Sequence, residues 1–124
     1  MANPIDQEFF ARLAALNDKF AVGIPDTLGR LKAARQRFTC TAPDPELTRE
    51  LHQILHTVAG SAATFGFRVL GQEARQLEQR LRVLMAYEQI APSDWESWLG
   101  ALDDYIAWGL VDPKAGSYPL PQGE

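Results

Sequence analysis

Residues 44–67 read DPELTRELHQILHTVAGSAATFGF, and this stretch decides the fold. Asp44 stands where a helix N-cap belongs, and Pro45 follows at the first helical position, where a missing amide costs nothing. On a wheel of about 100° per residue, Leu47, Ile54, Val58 and Phe65 lie within about 20° of the direction opposite His56, with Leu51 about 40° off it. The spacing predicts an amphipathic helix from Pro45 to about Phe65, closed by Gly66. Its apolar stripe faces a core, and His56 faces water.

The His56 side carries Arg49, His52, Ala59, Gly60 and Ala63, all within about 60° of the histidine. Ala59, Gly60 and Ala63 project almost nothing beside the imidazole. A glycine inside a helix costs about 0.5–1 kcal/mol relative to alanine. Gly60 on this side therefore suggests that something must approach closely.

Outward from this stretch, proline and glycine divide the chain into helical segments, and none shows the alternation of a strand. Ile5, Phe9, Leu13, Leu16 and Phe20 predict a first helix. Val22-Gly23-Ile24-Pro25 predicts a break or kink, because Pro25 lacks the amide of a helix interior. A second helix then runs to about Phe38, with Leu28, Leu31, Ala34 and Phe38 buried and Arg30, Lys32, Arg35 and Arg37 solvated. Residues 39–45 form a loop before the helix of the opening stretch.

A fourth helix is expected from about Phe67 to Tyr87. In it, Arg68, Arg75, Arg80 and Arg82 alternate with Glu73 and Glu78 and read as a mixed, solvated face. Ser93 and Glu96 have the form of a capping box for a fifth helix, about Asp94 to Trp108, buried through Trp95, Trp98, Leu102, Tyr105 and Ile106. The fold class is thus all-α, an antiparallel four-helix bundle with an additional short or kinked N-terminal helix. Residues 1–111 form one domain, and 112–124, rich in proline and glycine, a flexible C-terminal tail.

The chain has 124 residues, 46% of them hydrophobic, which is enough for one core and too few for two domains. A net charge of −4 disfavours a nucleic-acid partner. The single cysteine, Cys40, excludes an internal disulfide, and no Cys/His spacing forms a zinc module. No run approaches a membrane span or a secretory leader. A cytoplasmic protein, monomeric and without a membrane partner, is expected.

Chemically, a neutral imidazole near pH 7 is a nucleophile, and a hydrogen bond to one ring nitrogen fixes the tautomer at the other. His52 and His56 have the i, i+4 spacing of a zinc pair, but the metalloprotease pattern needs glutamate after the first histidine, and Gln53 stands there. The His56 face has neither an acidic cluster nor a glycine-rich phosphate loop. A partner would have to supply the metal and charge stabilisation that phosphoryl transfer requires.

The run His56-Thr57-Val58-Ala59-Gly60-Ser61-Ala62-Ala63-Thr64-Phe65-Gly66-Phe67, with Leu70 and then Leu77-Glu78, resembles the histidine-containing phosphotransfer (HPt) domain of bacterial multistep phosphorelays. The resemblance implies a four-helix bundle with His56 as phosphoacceptor, Gly60 as the residue that opens the surface, and small residues around the turn. It implies a carrier, not an enzyme. Its partners would be response-regulator receiver domains and a sensor or hybrid histidine kinase, with no cofactor of its own and Mg²⁺ held by the receiver. His52, Ala59, Gly60, Ala63, Arg68, Gln72 and Arg75 are the candidate docking residues, with Gln76 and Gln79 beside them. The family usually has lysine three positions after the histidine, where this chain has Ala59. That departure is what an alternative reading rests on, a helical adaptor that binds a receiver or kinase without accepting phosphate.

Overall fold

The computed structural model describes residues 4–119. Four helices follow in order, α1 (Pro4–Gln36), α2 (Pro45–Ser61), α3 (Arg68–Met85) and α4 (Pro92–Val111), with a 3₁₀ turn at Ala63–Phe65. No strand occurs among the described residues. Leu28, Leu31, Leu51, Leu55, Leu70, Leu81, Leu99 and Leu102 form the centre of the core. The stripes expected from periodicity lie there, including Leu47, Ile54 and Val58 of α2 and the Trp95, Trp98, Leu102, Tyr105 and Ile106 series of α4.

Two local expectations are corrected at the helix starts and breaks. The first two helices are one, because α1 passes through Gly23 and Pro25 without interruption. Pro25 lies exposed, where water can satisfy the carbonyl that loses its amide, while Ile24 and Leu28 on the adjoining face are buried and hold the helix in place. In α4 the capping box does not form. Ala91 is the N-cap without a side-chain bond, and Pro92 starts the helix ahead of Ser93.

A third correction is the end of α2, which stops at Ser61 and not at Phe65, the chain tightening into the 3₁₀ turn that Gly66 closes; the other local signals act as expected. Asp44 caps α2, its Oδ1 accepting from the Glu46 amide at 2.9 Å. Gly66 takes φ +90°, the left-handed conformation that ends the turn, and the Phe67 amide reaches back to the Ala62 carbonyl at 2.8 Å. This reversal folds α3 back along α2.

The packing of α3 on α2 is tight because Gly71 has no side chain. A Cβ there would stand 3.2 Å from the Ala62 Cβ. Two buried polar tips fix α4 to α3: Trp98 Nε1 donates to the Leu77 carbonyl, and Tyr105 Oη donates to the Leu70 carbonyl, each at 3.0 Å. Arg35 pairs with Asp103 across α1 and α4 at 3.1 Å, so Arg35 is not simply solvated. Of the C-terminal tail, Tyr118 packs edge-on against Trp108 and Lys114 lies over the Phe67 ring. Residues 120–124 lie outside the described residues.

Candidate functional site

The site lies on the α2–α3 surface. His56 stands on α2 with 61% of its side chain exposed, and its Nδ1 is 2.7 Å from Glu78 Oε2 on α3. The same oxygen is 3.3 Å from His52 Nε2 and 3.1 Å from Arg82 Nη2. Three nitrogens thus converge on one carboxylate oxygen, those of His56 and Arg82 in hydrogen-bonding geometry. Glu78 is 4% exposed, and burial of so polar a group is tolerable only because it is paired this way.

Burial pushes the Glu78 carboxyl up, but the His56 hydrogen bond and the charges of His56, His52 and Arg82 outweigh it and hold the group below its usual range. Glu78 is therefore an ionised acceptor at neutral pH. A carboxylate only accepts, so the proton between the residues belongs to His56 Nδ1. In the neutral ring this leaves the Nε2 lone pair free.

Glu78 corrects the sequence reading. The charge pattern of α3 predicts a solvated Glu78, yet the side chain is buried in the α2–α3 interface. On the α3 wheel it falls about 20° from Gly71 and about 60° from Leu81, so a charge sat among the apolar and small positions. That conflict is the signal that could have found it.

The other expected residues divide into two groups. Gly60, Ala63, Arg68, Gln72 and Arg75 are exposed, and His52 is half-buried, its ring nearly parallel to that of His56 with centroids 6.1 Å apart. Nothing lies within 4 Å of where a Gly60 Cβ would stand, so the surface beside His56 is open. Ala59 is different. It is 7% exposed, covered by α3, and its side chain is not offered to a partner as expected. Arg75 Nη2 donates to the Ala59 carbonyl at 3.3 Å, which brings a guanidinium to the surface over that position. Arg68 bonds Gln72 at 3.3 Å, whereas Gln76 turns toward α4 beside Tyr105 and Tyr118.

The zinc-pair spacing of His52 and His56 has a structural use of another kind, since both rings direct a nitrogen at Glu78. The arrangement offers a solvent-facing imidazole whose inner nitrogen is tied to a buried carboxylate and whose rim carries Arg82 and Arg75. It has the parts of a nucleophile and of an anion's surroundings. No helix of the described residues is long and apolar enough to cross a membrane.

No match was found among curated proteins or among solved structures. The Hpt domain family matches residues 11–108, a span that includes all of α2 and α3 and the whole His56 surface. With the four-helix architecture and the histidine on an exposed helix face, the chain belongs to the Hpt domain family, whose members serve phosphotransfer in two-component systems.

Proposed function

We propose that this chain relays a phosphoryl group between receiver-domain aspartates through His56 Nε2, in a multistep two-component pathway of the cytoplasm. The observation that carries this reading is the pairing of an exposed His56 ring with the buried Glu78 at Nδ1. A receiver carrying phospho-aspartate would dock over α2 and α3. Nε2 attacks phosphorus, the P–N bond forms as the P–O bond to the acyl oxygen breaks, and the aspartate leaves as carboxylate.

Phosphorylation at Nε2 makes the ring cationic while Nδ1 keeps its proton, so the Glu78 carboxylate balances the charge that develops. Arg82 and Arg75 are the guanidinium groups placed to face the phosphoryl oxygens. The second receiver reverses the step. Receivers would bring Mg²⁺ and the aspartates that bind it, and a sensor or hybrid kinase would charge the first of them. The chain itself is then a carrier without turnover.

Ala59 supports the second reading, an adaptor that binds a receiver or kinase without accepting phosphate, because no cation projects from that position. Incubation of the protein with receiver domains charged by acetyl phosphate and Mg²⁺ separates the two. Relay requires acid-labile, alkali-stable label on the wild type and none on His56→Gln. Receiver binding without label on His56 supports the adaptor.

A further inference from the structure

Helix α1 is far longer than the bundle needs. Its 33 residues span about 50 Å at 1.5 Å per residue, whereas α2, α3 and α4, with 17, 18 and 20 residues, span about 25–30 Å. From Asp6 to Lys19 every residue is exposed except Leu13 and Asn17, which are half-buried. Phe9, Phe10 and Leu16 are 59%, 63% and 51% exposed. On the wheel Phe9, Leu13, Leu16 and Phe20 fall within about 60° of one another. They continue, without a turn of phase, the stripe that Ile24, Leu28 and Leu31 bury in the core. Single exposed apolar side chains need no explanation, but an aligned row of this length marks a contact surface.

The order of the row points to its occupant. Phe9-x₃-Leu13-x₂-Leu16-x₃-Phe20 reads the same in both directions. We propose that the face is covered by a second copy of this chain, its α1 antiparallel to the first and related by a two-fold axis between Ala14 and Ala15. In that register Leu13 meets Leu16 of the second copy, and Phe9 meets Phe20. Phe20 is half-buried, stacked on Phe65 at 5.2 Å, at the edge of a cavity of about 340 Å³ between α1 and α2 bounded by Leu16, Gly23, Ile24 and Val58. Phe9 of the second copy reaches its mouth.

The rims agree with this register. Glu8 and Lys19 lie on the same flank of the stripe, and in antiparallel helices a flank meets its own counterpart. Glu8 then falls beside Lys19 of the second copy, once at each end, with Arg12 of the same flank about equally near that lysine on its other side. On the other flank Phe10 packs against Asn17 and Ala21 of the second copy. In a parallel pair each flank would instead meet the opposite flank of the second copy, setting Glu8 and Lys19 against Phe10, Asn17 and Ala21 and leaving both charges without a partner. The apolar match is self-complementary, as a two-fold contact requires.

Sedimentation velocity over a concentration series, on the full chain, tests the proposal. The wild type should show a monomer–dimer equilibrium, and Leu13→Asp/Leu16→Asp should be monomeric with an unchanged helical circular dichroism spectrum. Glu8→Lys, at an exposed position, should weaken the dimer by about tenfold, because it leaves Lys19 of the second copy between two cations and the symmetry makes the change twice, whereas Lys19→Glu, between Glu8 and Arg12, should change it little. Glu8→Lys/Lys19→Glu should restore it. A wild type that stays monomeric, a dimer indifferent to the leucine changes, or a double charge swap no better than Glu8→Lys alone would overturn the proposal. So would a monomeric wild type that loses a receiver domain through Leu13→Asp/Leu16→Asp, since the stripe would then be a receiver's seat.

Discussion

His56 Nδ1 and Glu78 Oε2 are 2.7 Å apart, joining an exposed side chain on α2 to a buried carboxylate on α3. This contact sets the tautomer of the histidine and couples the exposed His56 face to the packing of two helices.

Glu78→Ala should slow phosphorylation of His56 by about tenfold, equivalent to about 1.4 kcal/mol in the barrier, because the ring loses both its orientation and its counter-charge. Glu78→Gln keeps an acceptor for Nδ1 but no charge, and should fall between. Single-turnover transfer from a charged receiver measures both. Equal rates for all three proteins would remove Glu78 from the chemistry.

The pH dependence of stability follows from the same group. The Glu78 carboxyl is held below its ordinary value in the folded protein, burial being outweighed by the His56 hydrogen bond and by the neighbouring His56, His52 and Arg82 side chains. Its stabilisation is present above the ordinary glutamate pKa of about 4.3 and is lost as pH falls through the lower folded value. The melting temperature of the wild type should therefore drop on acidification more steeply than that of Glu78→Gln. Parallel curves would contradict this.

Glycines 60, 66 and 109 should respond differently to alanine. Gly60→Ala meets nothing and replaces a poor helix former, so it should stabilise by about 0.5–1 kcal/mol. Gly66→Ala should cost about 1 kcal/mol, because φ +90° disfavours any Cβ. Gly109→Ala places a Cβ 2.9 Å from a Leu28 methyl and should also destabilise. Urea unfolding measures all three. Gly60→Trp, with the fold intact, should in addition impair transfer, since the open surface beside His56 would be filled.

Arg75 and Arg82 should matter after transfer. Arg75→Ala/Arg82→Ala should shorten the lifetime of phospho-His56 several-fold while leaving the fold in place, both side chains being exposed. Decay of label on the isolated phosphoprotein gives the lifetime. Ala59→Lys would not substitute for them, because that position lies under α3 and a long cation there would have to be displaced outward.

Much of the fold was legible because its signals are local. The Asp44-Pro45 cap, the Gly66 stop and the apolar stripe opposite His56 each depend on residues within a turn or two of each other, and so does the exposure of His56 itself. The bundle class followed from four such stripes. What was not legible depends on distant contacts. Ala59 sits about 60° from His56, on a boundary where small side chains suit a helix–helix contact as well as an open surface, and only the approach of α3 at Gly71 decides between them. Glu78 lies 22 residues from its partner, among arginines that make it look solvated. The missing amide of Pro25 is a local signal that predicts a break or kink, whereas the burial of Ile24 and Leu28 that carries α1 through it is tertiary.

The most direct test is the site of the P–N bond. Nuclear magnetic resonance of ¹⁵N-histidine-labelled protein, phosphorylated by a charged receiver, distinguishes the two ring nitrogens through their coupling to phosphorus. Phosphorus on Nε2 of His56, with Nδ1 still protonated against Glu78, is the expected result. Phosphorus on Nδ1, on His52, or on neither histidine would contradict it.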